Sequence, residues 1–148
     1  MKRLQTVTAS ALLAAALALS ACSTPMRAGT STALTQLSGG NEVPATTSAG
    51  TGSVETSFNK DTYLLRWTVT YSGLSGPATG GHFHGPAIPG QNAPVVVPFN
   101  GSLASPIMGE MILKPAQAAD LLAGKWYVNL HTAANPGGEI RGQVVMGQ

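Results

Sequence analysis

Three histidines are present in the chain, and two of them lie two positions apart in the glycine-rich stretch GGHFHGPA at residues 80–87. These two are His82 and His84, and the third is His131 in the stretch KWYVNLH at residues 125–131. Imidazoles at positions i and i+2 of a strand lie on the same face of a sheet. A third imidazole from a neighbouring strand would complete a set of nitrogen ligands for a late transition metal.

The orientation of these histidines follows from the apolar residues beside them. Trp126, Val128 and Leu130 form the apolar face of one predicted strand, so His131 lies on the opposite face. Phe83 is the natural core residue of the other strand, which places the histidines on either side of it away from the core. The competing interpretation is that these are polar residues at exposed strand ends, with His131 a hydrogen-bonding residue.

Two further polar residues are candidates for a supporting role. Glu139 and Arg141 share the outward face of the last predicted strand, because Ile140 and Val144 are its inward residues. A turn centred on residues 136–137, Pro-Gly, brings Glu139 to the same end of a hairpin as His131. Glu139 then accepts a hydrogen bond that fixes a histidine tautomer, acts as a weak ligand, or forms a surface ion pair with Arg141.

The elements that position these residues are predicted to be strands. Residues 62–71, TYLLRWTVTY, alternate between apolar and polar side chains, and the preceding segment with Val54 and Phe58 forms a hairpin with it. One short helix is expected to begin at Pro115 and to end at Gly124. This pattern predicts an all-β antiparallel sandwich with one short crossover helix. Further strands are expected at 79–84, 94–99, 106–113, 125–131 and 138–146.

The start of the chain has the pattern of a lipoprotein signal. Residues 1–21 contain two basic residues and an apolar run too short to span a bilayer, and LSAC at residues 19–22 resembles the bacterial lipobox. We therefore expect residues 1–21 to be removed, Cys22 to be lipidated, residues 22–32 to form a flexible tether and residues 33–148 to form one domain. The expected location is the bacterial cell envelope, anchored by lipid to the outer membrane.

Charge and motifs exclude several classes of function. Loss of Lys2 and Arg3 with the signal leaves six of the eight basic side chains, which balance the six acidic ones, so no basic surface for nucleic acid is expected. The sequence has no G-x-S-x-G elbow, P-loop or dinucleotide fingerprint. Because Cys22 is the single cysteine, no intramolecular disulfide can form.

Three stretches together resemble the CHRD domain, first described in chordin and widespread in bacterial secreted proteins: LSGGNEVPATTSAGTGSVETSF, YLLRWTVTYSGLSGPATGGHFHGPA and LLAGKWYVNLHTAANPGGEIRGQV. The resemblance covers about residues 33–146, and YVNLHTAANPGGEIRGQ is its most specific part. It implies an immunoglobulin-like β-sandwich. It implies little about activity, because the biochemical role of the family is poorly defined.

A looser likeness concerns the histidine pair itself. GGHFHG is similar to the G-x-H-x-H strand of copper/zinc superoxide dismutases, whose sandwich also holds metal on an outer face. This chain has neither the histidines for a zinc subsite nor an intramolecular disulfide. The likeness therefore favours a copper site over dismutase activity.

Two functional hypotheses follow. In the first, a lipid-anchored envelope protein binds copper, or zinc or another late transition metal, through His82, His84 and His131. In the second, the chain is a non-enzymatic interaction or scaffolding module that meets another envelope protein or a glycan, and its histidines are structural. A superoxide dismutase-like enzyme is a third interpretation.

Overall fold

A computed structural model of the chain describes residues 29–147. The predicted signal peptide, Cys22 and most of the predicted tether lie outside this range. Within it, no helix has the length and apolar character needed to cross a membrane.

Eight strands and one helix make up the described part of the chain, which confirms the all-β prediction. The helix α1 spans Pro115–Leu122, and a 3₁₀ turn spans Gly39–Asn41. The first strand was not predicted: it begins at Thr30, inside the segment expected to be a tether and before the boundary expected at residue 33. The strands are β1 Thr30–Ser38, β2 Thr51–Asn59, β3 Leu64–Ser72, β4 Ala78–His84, β5 Val95–Pro98, β6 Ile107–Ile112, β7 Trp126–Thr132 and β8 Ile140–Val144.

All eight strands belong to one antiparallel sheet in the order β5-β4-β7-β8-β1-β2-β3-β6. The sheet has two halves of four strands, joined where Ser38 of β1 pairs with Arg141 of β8. The halves pack face to face, since the Trp67 ring on β3 lies 5.4 Å from the Phe83 ring on β4. The antiparallel prediction is confirmed, whereas one continuous sheet folded on itself takes the place of two separate immunoglobulin-like sheets.

The helix α1 connects β6 in one half of the sheet to β7 in the other, as the crossover prediction requires. Pro115 is its first residue, and Gly124, with a φ of +69°, follows its end. Ala118 and Leu121 are buried in the core, whereas Leu122 is 40% exposed.

The outer face of β4, β7 and β8 differs from the sequence-based expectation. Glu139 and Arg141 point away from the apolar core as predicted, yet both are buried. Two loops, residues 39–50 and 85–94, cover this face through hydrogen bonds such as Thr46 Oγ1 to the Glu139 carbonyl and Arg141 to Gln91. The domain therefore has an apolar core on one side of these strands and a buried polar layer on the other.

Candidate metal centre

The three histidines meet on the outer face of β4 and β7. These strands are antiparallel neighbours, with His82 opposite Asn129 and Gly80 opposite His131, so His131 lies diagonally across from His82. Nδ1 of His82 is 3.1 Å from Nε2 of His131, and one nitrogen of each of the three rings lies within 4.8 Å of the others. His84 is buried and the other two are half-buried. The fold thus brings together the three histidines that the sequence analysis selected.

Two of these imidazoles have one nitrogen fixed by a main-chain carbonyl. Nδ1 of His84 lies 2.9 Å from the carbonyl oxygen of Ala93, and Nδ1 of His131 lies 2.9 Å from that of Pro136. A carbonyl oxygen only accepts, so Nδ1 carries the proton in each neutral ring and Nε2 presents a lone pair. Nε2 of His84 is buried with no hydrogen-bond partner in the described structure. Metal-binding histidines typically have this arrangement of one bonded and one free nitrogen.

The surroundings of His82 and His84 keep these two rings neutral. Burial, with added repulsion from His131 and His84, lowers the pKa of His82 to about 4. The pKa of His84 is also lowered, chiefly by burial, although its hydrogen bond to the Ala93 carbonyl and the nearby Asn129 side chain oppose the shift. Neutral imidazole is the form that binds metal, so these two rings are ready to bind an ion at neutral pH.

The planar side chains of Tyr127 and Arg141 stack in sequence against the ring of His84. The Tyr127 ring lies flat against it, with centroids 4.8 Å apart and an interplanar angle of 1°. The guanidinium carbon of Arg141 lies 3.4 Å from the centroid of Tyr127 on the ring face. Arg141 also donates to Asn92 Oδ1 at 2.9 Å and to Gln91 O at 2.6 Å. Arg141 therefore reaches the histidines only through Tyr127 and the 85–94 loop.

Glu139 lies in a different part of the polar layer. Its carboxylate accepts hydrogen bonds from Ser48 Oγ at 2.6 Å, from Ser75 N at 2.7 Å and Ser75 Oγ at 2.6 Å, and from Thr132 Oγ1. Burial opposes its ionisation, but these hydrogen bonds outweigh that effect and lower its pKa to about 2. The carboxylate bonds to hydroxyl and amide groups rather than to a histidine, and it forms no ion pair with Arg141.

Two residues that the sequence analysis did not select also belong to this cluster. Asn129 Oδ1 lies 3.0 Å from His131 Nε2, and its amide nitrogen lies near the buried carboxyl of Glu42, whose Oε1 has no hydrogen-bond partner among the described residues. Burial raises the pKa of Glu42, although the nearby Arg141 charge, the Asn129 amide and the Val43 main chain act in the opposite direction. Asn129 shares a strand face with His131, so the alternation that oriented the histidine also indicated Asn129. No sequence signal pointed to Glu42, which lies in a loop.

The other half of the sheet has a shallow depression of about 720 Å³ on its outer surface. Exposed Leu34 and Met108 lie on it, together with the surface ion pair of Arg66 and Glu110. No group of metal-ligating side chains is found there, because the three histidines are the one such group within residues 29–147.

Fold and cluster together define a small antiparallel all-β domain with a buried polar layer and a three-histidine group at its edge. The family model of the CHRD domain matches residues 34–144, so the chain belongs to the CHRD family. Comparisons with curated proteins and with solved structures found no significant match.

Proposed function

We propose that this CHRD-domain protein binds a transition-metal ion, with copper favoured and zinc the main alternative, through His82, His84 and His131. The observation that carries the proposal is the orientation of the rings. Two of them are fixed by carbonyl oxygens at Nδ1, and the buried Nε2 of His84 has no hydrogen-bond partner among the described residues. A buried acceptor without a partner is unfavourable, and a bound cation would satisfy it.

The spacing of the nitrogens supports binding with a small adjustment. Ligands about 2.1 Å from one ion are separated by about 3.0 Å at right angles and about 3.4 Å in a tetrahedron. The 3.1 Å between His82 and His131 falls within that range, whereas the widest separation in the cluster is 4.8 Å. Closing a separation of 4.8 Å to about 3.4 Å requires two imidazoles to approach each other by about 1.4 Å in total. His82 and His131 are both half-buried, and the most widely separated rings are those of His84 and His131, with centroids 6.3 Å apart.

Calorimetric titration of the purified protein with Cu(II), Cu(I) and Zn(II) tests the proposal. We expect sub-micromolar affinity, on the order of −8 kcal/mol or stronger. His82→Gln and His131→Gln should each weaken binding at least tenfold, whereas Arg66→Gln, on the opposite half of the sheet, should leave it unchanged. Unchanged affinity in both histidine variants would exclude this site. A superoxide dismutation assay on the loaded protein separates binding from redox catalysis.

The proposal extends to location. A lipid on Cys22 would hold the domain at the bacterial outer membrane through the segment before Thr30, so metal binding would take place in the cell envelope. The length and composition of residues 1–22 support this part of the proposal.

A second candidate function is a non-enzymatic interaction module for an envelope protein or glycan. It is favoured by the fact that His84 and His131 each fix a loop, through Ala93 and Pro136. Under this interpretation, His131→Ala would lower the melting temperature of the metal-free protein, and addition of metal would not stabilise the unmodified protein. Stabilisation by stoichiometric metal would favour the first candidate.

A further inference from the structure

The geometry points to Asn129 as a fourth ligand of the proposed metal site, contributing its side-chain oxygen and making the site selective for divalent ions over Cu(I). This inference rests on the proposed metal-binding function. It assigns a donor set of three imidazole nitrogens and one amide oxygen. The position of Asn129 on β7, opposite His82 and two residues before His131, places its side chain among the three rings.

Two hydrogen-bond acceptors, His131 Nε2 and Asn129 Oδ1, lie in contact. Nδ1 of His131 donates its proton to the Pro136 carbonyl, so Nε2 of the neutral ring has only a lone pair. Asn129 Oδ1 also has only lone pairs and lies 3.0 Å from that nitrogen. Two facing lone pairs at this distance repel each other unless a proton on Nε2 or a metal ion lies between them. The separation is also that of two ligands at about a right angle around one ion.

Glu42 orients the amide of Asn129. Glu42 is 6% exposed, and its carboxyl lies beside the amide nitrogen of Asn129. A Cβ on Gly138 would lie 2.4 Å from Glu42 Oε1 and 2.6 Å from Asn129 Nδ2, so these two atoms lie within about 5 Å of each other. A carboxyl oxygen attracts the NH₂ end of the amide, so the oxygen end is directed towards the histidines.

An amide oxygen in the donor set affects which ion is bound. Imidazole suits Cu(I), Cu(II) and Zn(II), whereas Cu(I) prefers soft donors and gains little from a carbonyl-type oxygen. The four-donor site should therefore hold Cu(II) and Zn(II) more tightly than the three histidines alone would, with little advantage for Cu(I).

The test compares Asn129→Leu with Asn41→Leu in the purified protein. Asn41 is a suitable control because its amide donates to the main chain of Arg141, in the same polar layer, and it has no hydrogen bond to a histidine. Asn129→Leu should weaken Cu(II) and Zn(II) binding by about 10- to 100-fold and alter the Cu(II) paramagnetic resonance spectrum, with a much smaller loss for Cu(I). Asn41→Leu should retain both the affinity and the spectrum.

A second variant covers the case in which Asn129→Leu does not fold. Asn129→Asp offers an oxygen of the same reach with a negative charge, so it should bind Zn(II) more tightly while the metal-free protein becomes less stable beside Glu42. A purely structural asparagine would not produce both effects. If the unmodified protein binds Cu(II) or Zn(II) and the Asn129 variants keep its affinity and spectrum, this inference is wrong and the three-histidine proposal stands. If the unmodified protein binds neither ion, both fail.

Discussion

At the residue scale, the polar layer contains two buried carboxyl groups with opposite electrostatic environments. Glu139 is fully buried and its charge is stabilised by four donors, whereas Glu42 is buried with few donors and its pKa is raised. The difference is one of hydrogen bonding rather than of burial, because a carboxylate that accepts several hydrogen bonds remains ionised even without solvent. Glu139 therefore stabilises the folded chain, joining residues 48, 75 and 132 around one charge.

Replacement of Glu139 by glutamine should destabilise the domain by about 2 to 3 kcal/mol, because a neutral amide accepts these hydrogen bonds more weakly and brings unmatched donors. The matched control is Glu110→Gln, which removes an exposed carboxylate paired with Arg66 and should cost at most about 1 kcal/mol. Chemical denaturation at pH 7 measures both. Equal effects in the two variants would contradict the role given to Glu139.

The Glu139 carboxylate also makes the stability of the folded chain depend on pH. Its pKa is about 2 in the folded chain and 4.5 for an ordinary glutamate, so the unfolded chain takes up the proton first as the pH falls. The stabilisation is therefore complete above pH 4.5 and is lost towards pH 2. The difference in stability between the unmodified protein and Glu139→Gln should shrink over that window.

Histidine protonation acts at a higher pH. Because the pKa of His82 is about 4 in the folded chain and 6.5 ordinarily, the unfolded state binds this proton first below pH 6.5. Stability of the metal-free protein should fall from pH 6.5 to pH 4, and His82→Gln should show a shallower slope in denaturation experiments with a chelator present. A slope unchanged by the substitution would show that His82 is not the group responsible.

At the scale of elements, strand alternation was sufficient to predict which residues of β4 and β7 share a face. It correctly placed His82, His84 and His131 together, because Trp126, Val128 and Leu130 alternate along β7 and Phe83 identifies the inward face of β4. It did not predict β1, whose inward positions include Ser31 and Thr35 rather than a regular apolar row. That strand forms because it pairs along its whole length with β2, which is a long-range contact.

The positions of the two covering loops could not be predicted from sequence patterns either. Glu139 and Arg141 were correctly directed away from the apolar core, but their burial depends on residues 39–50 and 85–94 folding back over β7 and β8. Alternation within a strand reports the direction of a side chain relative to the sheet. It contains no information about a segment ninety or so positions away in sequence, such as the one that brings Ser48 to Glu139.

The turn between β7 and β8 gives a prediction for the loop contacts. Gly138 has a φ of +132° and lies against Glu42 and Asn129, whereas Gly137 has open space where a Cβ would be. Gly138→Ala should destabilise the domain by more than about 1 kcal/mol through backbone strain and steric overlap, and Gly137→Ala should have a much smaller effect. Thermal unfolding of the two variants measures the difference. Similar melting temperatures would mean that the 39–50 loop does not pack closely on this turn.

At the scale of the whole molecule, β1 runs from the point where the chain enters the domain towards the histidine cluster. The chain enters the domain at Thr30, and β1 ends at Ser38, immediately before the loop that carries Glu42 to the histidine cluster. A nine-residue strand with a rise of about 3.3 Å per residue spans about 30 Å, so entry point and cluster lie at opposite ends of the domain. A lipid anchor before Thr30 would leave the cluster facing away from the membrane.

Replacement of Cys22 by serine tests the anchor independently of the metal. The serine cannot take a thioether-linked lipid, so the protein should move from the membrane fraction to the soluble fraction of the envelope, while its Cu(II) affinity remains that of the unmodified chain. Fractionation measures the location of the protein, mass spectrometry of the N-terminal peptide measures its lipid, and calorimetry measures its Cu(II) affinity. A Ser23→Ala control should stay in the membrane fraction. Retention of the Cys22→Ser protein in that fraction would contradict lipid anchoring, and it would leave the metal site, which lies wholly within residues 82–131, unaffected.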